Sequence, residues 1–178
     1  NIVLGRANKF FLNFSKKILC YSKNLINLPK KFEQKKIIIR PLIRKNYYEK
    51  NNIPKKDSLF SIIIIGGSQG ASIFDNFINE IIVNISKIFS LKVIHQTSKK
   101  NIYSLKNFYK ENKIENKVFA FDQNLNELLK QSDLCITRAG ASSLAELSIL
   151  NIPFIAIPLP TSKDNHQYEN AKYYKDKG

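Results

Sequence analysis

The chain has 178 residues, 43% of them hydrophobic and 24% charged, enough for one core of ordinary size. Six Gly and six Pro exclude collagen-like and Pro/Gly-rich disordered classes. Two cysteines, Cys20 and Cys135, exclude a disulfide scaffold and point to a reducing compartment. The net charge of +15 is uneven: residues 1–60 hold 15 basic and 3 acidic side chains, residues 61–178 hold 14 and 11. A basic first third faces nucleic acid, an anionic membrane or a phosphorylated ligand, or is simply solvated.

In chain order, residues 1–22 read as helix then strand, with an aromatic stretch at 8–13 and a strand candidate at 17–21. Residues 23–36 are polar, contain Pro29 and read as a loop. Ile37, Ile38 and Ile39 form a short strand candidate stopped by Pro41. Residues 44–58, charged and interrupted by Pro54, read as a linker. From residue 59 the rhythm is regular. Ile62 to Ile65 is a β-branched run suited to a strand covered on both faces. Phe74, Phe77, Ile78, Ile81, Ile82, Ile85 and Ile88 then recur at helical spacing. Strands are expected at 91–96, 117–121, 134–137 and 153–157, and helices at 102–112, 125–130, 142–150 and 165–177. Five strands alternating with five helices predict an α/β fold, a Rossmann-like parallel sheet with helices on both faces. Its ligand edge should be the loops after Ile65, Gln96, Phe121, Thr137 and Ile157.

No apolar run reaches the roughly 18 residues that span a bilayer, and no signal-peptide pattern is present. Met is absent and residue 1 is Asn, so these residues read as an internal piece of a longer protein. Of the 29 basic residues 25 are Lys and only 4 are Arg. Nucleic-acid surfaces favour Arg for bidentate contacts. The basic excess is therefore read as solvated surface, and no nucleic-acid partner is expected.

Three segments carry candidate chemistry. Gly66, Gly67, Ser68, Gln69 and Gly70 join a buried strand to a long helix. Glycines there permit close backbone approach, and the helix start offers N–H groups to an anion, so phosphate binding is read over a bare turn. The segment lacks the Gly-Lys-Ser/Thr of a Walker A loop. The next strand ends His95-Gln96-Thr97 without the acid of a dinucleotide fingerprint. The second segment is 137–146. Gly140 permits a turn, and Ser142 or Ser143 can cap the helix. Glu146 faces back toward the loop, where its carboxylate can accept two hydrogen bonds from a ribose diol; alone, it reads more often as an acid near a helix start, favoured by the dipole. The third is 163–171, with Asp164 as a candidate cap and Asn165, His166 and Gln167 as neutral partners for sugar hydroxyls. No Asp-x-Asp occurs, and His95 and His166 lack zinc-ligand spacing, so neither metal nor cofactor is expected. A leaving diphosphate would then rely on backbone N–H groups, a helix dipole and a Lys or Arg.

These segments, in this order, resemble the nucleotide-sugar half of the MurG family. The family's Gly-Gly-Ser-Gln-Gly-Ala is Gly66 to Ala71 here. Its His-Gln-Thr/Ser is His95, Gln96 and Thr97, its Arg-x-Gly-Ala…Glu runs from Arg138 to Glu146, and its Lys-Asp…Gln-x-x-Asn is Lys163, Asp164, Gln167 and Asn170. The opening Asn1 to Lys9 resembles the family's Asn-x-x-x-Gly-x-x-Asn segment. The resemblance implies a GT-B glycosyltransferase. Residues 1–43 would be the tail of its acceptor domain, 44–58 a linker, and 59–178 the nucleotide-sugar domain, incomplete at its C-terminus. It implies inverting transfer of GlcNAc from UDP-GlcNAc to the MurNAc 4-hydroxyl of undecaprenyl-linked lipid I, giving lipid II for peptidoglycan. The place would be the cytoplasmic face of the bacterial inner membrane, with an anionic membrane surface as a further partner.

Donor contacts carry over to Asn1, Arg44, Ser68, Asp122, Ala141, Ser142, Ser143, Leu144, Ala145, Glu146 and Gln167, with phosphate-loop backbone at Gly66, Gly67, Gln69 and Gly70. Glu146 would hold the ribose, Ser68 the diphosphate, Gln167 the sugar and the backbone near Asp122 the uracil. The stretch Ile39 to Arg44 is one residue longer than the family's Gly-Asn-Pro-Val-Arg, which makes Arg40 an alternative to Arg44. Asp122 stands where the family is usually apolar. The family's Gly-rich loop with its His has no counterpart here, so no general base is expected in these residues. The competing readings are another GT-B lipid glycosyltransferase, a UDP-GlcNAc 2-epimerase, or a basic polyanion-binding module.

Overall fold

The computed structural model describes residues 2–48, 59–66 and 71–177. Contacts divide the chain into two compact units. One comprises Asn1–Arg44, Ala139–Glu146 and Ile157–Gly178; the other comprises Lys45–Arg138 and Leu147–Ala156. Length alone favours one core. The first unit is assembled from three separate stretches, a closure that composition does not reveal.

The opening stretch holds helix α1 (Arg6–Phe10), strand β1 (Ile18–Cys20) and strand β2 (Lys36–Ile38). β1 and β2 pair in parallel, with Leu19 opposite Ile37. Leu4, Leu12, Cys20, Leu25 and Phe32 form the core beneath them. The stretch 23–36, expected to be loop throughout, contains a 3-10 helix over Lys30–Lys35. Pro29 presets the backbone entering it, and Phe32 supplies the buried contact that keeps it. The Lys35 ammonium donates to the carbonyls of Leu12 and Ser15 at 3.2 and 2.7 Å. A further 3-10 turn at Lys45–Tyr47 lies in the stretch read as linker, and its Tyr47 is buried. The rest of that stretch, 49–58, falls outside the described residues.

The second unit contains a five-stranded sheet. In chain order the elements are β3 (Phe60–Ile65), α2 (Ala71–Ser86), β4 (Leu91–Gln96), α3 (Ile102–Glu111), β5 (Glu115–Phe119), α4 (Leu125–Lys130) and β6 (Leu134–Arg138). Further along the chain come α5 (Ala141–Ile149), mostly in the first unit, β7 (Phe154–Ile157), mostly in the second, and α6 (His166–Lys175), in the first. β3 is central and buried, as its β-branched run demands. The sheet order is β5-β4-β3-β6-β7. The pairs β3–β4, β3–β6 and β4–β5 are parallel. The α/β parallel-sheet expectation is met.

One strand sits differently from its pattern. β5 spans 115–119 rather than 117–121, so Phe121 lies beyond the strand and is 76% exposed. Lys113, at φ 57°, turns the chain out of α3 just before the strand. The Lys92–Glu115 ion pair of 2.9 Å then spans the first rung of the β4–β5 ladder. The local sequence near 121 is as strand-like as that near 115, and pairing with β4 decides between them.

Ile63 is fully buried at the middle of β3. Ile63→Ala is expected to cost about 2–5 kcal/mol, read as a lowered urea midpoint with unchanged slope.

Candidate functional site

The chain runs outward from β3 to β4 to β5, then returns to place β6 on the other side of β3. This reversal makes the carboxyl ends of β3 and β6 a topological switch point, where open parallel sheets bind ligands. Ile65 stands opposite Thr137 there. Gly66 follows Ile65 and is buried. Gly67, Ser68, Gln69 and Gly70 lie outside the described residues, as does Asn1. α2 opens at Ala71, immediately after the glycine-rich segment. The Arg138 guanidinium, at the end of β6, sits 4.9 Å from the ring centre of Phe74 in the first turns of α2. The strand ends at Ile65 and Thr137 therefore lie side by side at the switch point, with Gly66 and Arg138 next to them.

Behind them lies a buried polar network. The Asp75 carboxylate accepts from the Thr97 hydroxyl at 2.6 Å and from the Asn101 side-chain amide at 2.7 Å, both on Oδ2. Its Oδ1 faces His95 Nε2 at 3.5 Å. His95 Nδ1 is 2.7 Å from the Tyr109 hydroxyl, which also donates to Asn79 at 3.3 Å. His95 has no exposed surface. Burial pulls its pKa down from 6.5 to about 4, against an upward pull from the Asp75 charge. At 3.5 Å the Asp75 contact is too long to outweigh that desolvation, so His95 is neutral at pH 7. The Tyr109 hydroxyl is pushed up, mainly by burial.

At the end of β5, Gln96 donates to the Ala120 carbonyl at 3.3 Å. Asp122 follows, with Oδ2 on the Lys117 ammonium at 2.8 Å and Oδ1 accepting the Asn124 N–H at 2.9 Å. These bonds hold the Asp122 carboxyl below its usual range, the Lys117 contact most of all. Both carboxylate oxygens are engaged, so the acid is accommodated at this loop.

In the other unit, Glu146 Oε1 lies 3.5 Å from Arg44 Nη2. The glutamate is largely buried and the arginine exposed. Arg44, not Arg40, is the arginine brought to Glu146. Ala141, Ser142 and Ser143 form the first turn of α5. The two serines are thus inside the helix rather than capping it. Leu144 and Ala145 are buried, and the Leu144 N–H is taken by the Gly140 carbonyl. Asn170, 1% exposed, accepts the Ile2 N–H and donates to the Ala139 carbonyl. Gln167 accepts the Leu159 N–H at 2.8 Å, so its Nε2 is the end with donors to offer. Asp164 does not cap α6. It receives a forked ion pair from Arg6, at 3.3 and 3.2 Å, and Asn165 occupies the cap position. Asp164 and Asn165 both have φ of 53°, a left-handed conformation that Asp and Asn tolerate best. His166 turns Nδ1 back to the Lys163 carbonyl. Among the described residues no group of three or more His, Cys, Asp or Glu is arranged to hold a metal.

Two features were not visible beforehand. Asp75 sits in the helical apolar pattern with nothing local to mark it as a network centre. Arg6 and Asp164 are 158 residues apart, so only folding joins them.

The fold is that of the C-terminal half of a GT-B glycosyltransferase. Residues 61–178 match the glycosyltransferase family 28 C-terminal domain, and the chain belongs to that family. It is 47% identical, over its whole length and 50% of the relative's, to UDP-N-acetylglucosamine–N-acetylmuramyl-(pentapeptide) pyrophosphoryl-undecaprenol N-acetylglucosamine transferase of Pelagibacter ubique (strain HTCC1062). The transferase of the same name from Rickettsia canadensis (strain McKiel) is 38% identical over 99% of this chain and 51% of its own. The chain spans about half the length of these relatives. Its fold is shared with the crystal structure of Acinetobacter baumannii MurG, at TM-score 0.77 and 23% identity over 100% of this chain and 49% of that one. A glycotransferase of kitacinnamycin is similar at TM-score 0.61 and 16% identity, over 92% and 41%.

A buried neutral His95 binds a proton more readily in the unfolded chain. Its contribution is complete above pH 6.5, declines as pH falls, and is lost by about pH 4. The expected loss is roughly 3 kcal/mol. Urea titrations at pH 7 and 4 should show it, and His95→Gln should flatten that decline.

Proposed function

We propose that this chain is the donor-binding half of a MurG-type transferase, which moves GlcNAc from UDP-GlcNAc to the MurNAc 4-hydroxyl of lipid I. The observation that carries this reading is the meeting of the Gly66 and Arg138 strand ends at the switch point of the sheet. The shared family and the names of the relatives support it.

In this reading the segment 66–70 and the start of α2 take the diphosphate, with Ser68 adding a hydroxyl donor. Backbone near Asp122 reads the uracil. The Glu146 carboxylate accepts both ribose hydroxyls, with the Arg44 guanidinium 3.5 Å from its Oε1. Gln167 Nε2 donates to the sugar. The acceptor 4-hydroxyl attacks the anomeric carbon as the bond to the UDP oxygen breaks, so configuration inverts. The hydroxyl proton passes to a base outside these residues, and residues 1–178 alone are expected to form no lipid II. Negative charge accumulates on the departing diphosphate, where helix N–H groups and a nearby cation are worth most.

The residues at 1–43 act as the tail of the acceptor domain, and 59–178 as the nucleotide-sugar domain. Among the described residues no helix is long and apolar enough to cross a membrane. Phe10, Phe11 and Phe14 are 71%, 56% and 79% exposed, amid Lys9, Lys16 and Lys17. That pairing of aromatic rings and ammonium groups suits an anionic bilayer surface. It supports a peripheral place on the cytoplasmic face of the inner membrane.

Calorimetric titration should show UDP and UDP-GlcNAc binding to the chain, weakened at least tenfold by Glu146→Ala. Unchanged affinity would remove the ribose assignment. Sedimentation with phosphatidylglycerol vesicles should recover the chain, and Phe10→Ser with Phe14→Ser should release it; equal recovery would end the membrane reading.

A further inference from the structure

The buried network around Asp75 has no part in the chemistry above, yet it joins the helix that opens after the glycine-rich segment to the end of the neighbouring strand. Asp75 is the fifth residue of α2 and the carboxylate nearest its amino end. Helical side chains point back toward the amino end. Left to itself, this charge would sit among the N–H groups that the helix offers to an anion, and would oppose a bound diphosphate. Two donors prevent that. The Thr97 hydroxyl, just beyond β4, and the Asn101 amide, just before α3, both bind Oδ2. The other oxygen, Oδ1, makes no hydrogen bond among the described residues and packs 3.5 Å from Nε2 of the fully buried His95. Tyr109 from α3 fixes the ring on its far side. A buried network in which each member constrains the next specifies one geometry rather than several.

We propose that Asp75, Thr97 and His95 are positioning residues for the diphosphate. The network fixes the direction of α2 and draws its first carboxylate against β4, so that the helix start meets the ligand with N–H groups and the positive end of its dipole. This rests on the donor-site reading and extends it to residues that touch no ligand.

The test compares UDP with uridine by calorimetry on the whole chain. Uridine has the base and ribose but no phosphate, so a positioning role for the diphosphate separates the two ligands, whereas general loosening of the fold weakens both. Thr97→Val keeps the shape and removes the donor. It is expected to weaken UDP about tenfold while changing uridine less than about twofold, with Thr97→Ser restoring UDP. Asn101→Ala removes the second donor from the same oxygen and should shift the ratio in the same direction; it serves if Thr97→Val does not fold. Equal losses for UDP and uridine, or an unchanged UDP-to-uridine ratio in these variants, overturn the inference alone. A wild-type chain with no preference for UDP over uridine overturns the donor-site reading and the inference together.

Discussion

β3 is hydrogen-bonded on both sides, and its buried isoleucines leave it no other place than the middle of the sheet. That constraint organises the unit. A parallel strand cannot turn directly into its neighbour, so every connection must cross and every strand must end on the same edge. The chain leaves β3 in one direction and returns on the other side, and open parallel sheets take ligands where two such directions part. Gly66 stands there because it follows β3, and Arg138 because it ends β6, the two strands that flank the reversal.

Polar groups do the finer placement, and they do so in pairs. In one unit, Asp75 is surrounded by the donors of Thr97 and Asn101, and Asp122 by Lys117 and a backbone N–H. In the other, Asn170 joins the backbone at Ile2 to that at Ala139, and Arg44 accompanies Glu146. An unpartnered carboxylate in any of these places would carry a desolvation penalty of a few kcal/mol. The bonds these groups make tie together segments that share no ladder, although Asp75 Oδ1 itself accepts none among the described residues.

Much of the fold was legible in the residues. The run Ile62 to Ile65 can only be a covered strand, and the apolar spacing from Phe74 onward fits only a helix. The glycine-rich segment, the 137–146 segment and the 163–171 segment suggest the proposed site by their expected placement after strands. The shift of β5, the 3-10 helix at Lys30–Lys35 and the displacement of Asp164 from its cap were not legible. Each depends on a partner far away in sequence: β4 for the strand, buried packing of Phe32 for the helix, Arg6 for the aspartate. Local propensity is nearly neutral at these positions, so a distant contact of modest strength decides them.

The sequence by itself determined the class of fold and the residue types that follow each strand. Hydrophobic period and glycine placement are local properties, written in neighbouring residues. Tertiary structure alone decided the strand order, and with it which two loops face each other; it chose Arg44 over Arg40 for Glu146, and it assembled Asp75, His95, Thr97 and Tyr109 into one network. Those outcomes depend on contacts between residues far apart in the chain, whose free energy exists only once the whole sheet has closed around them.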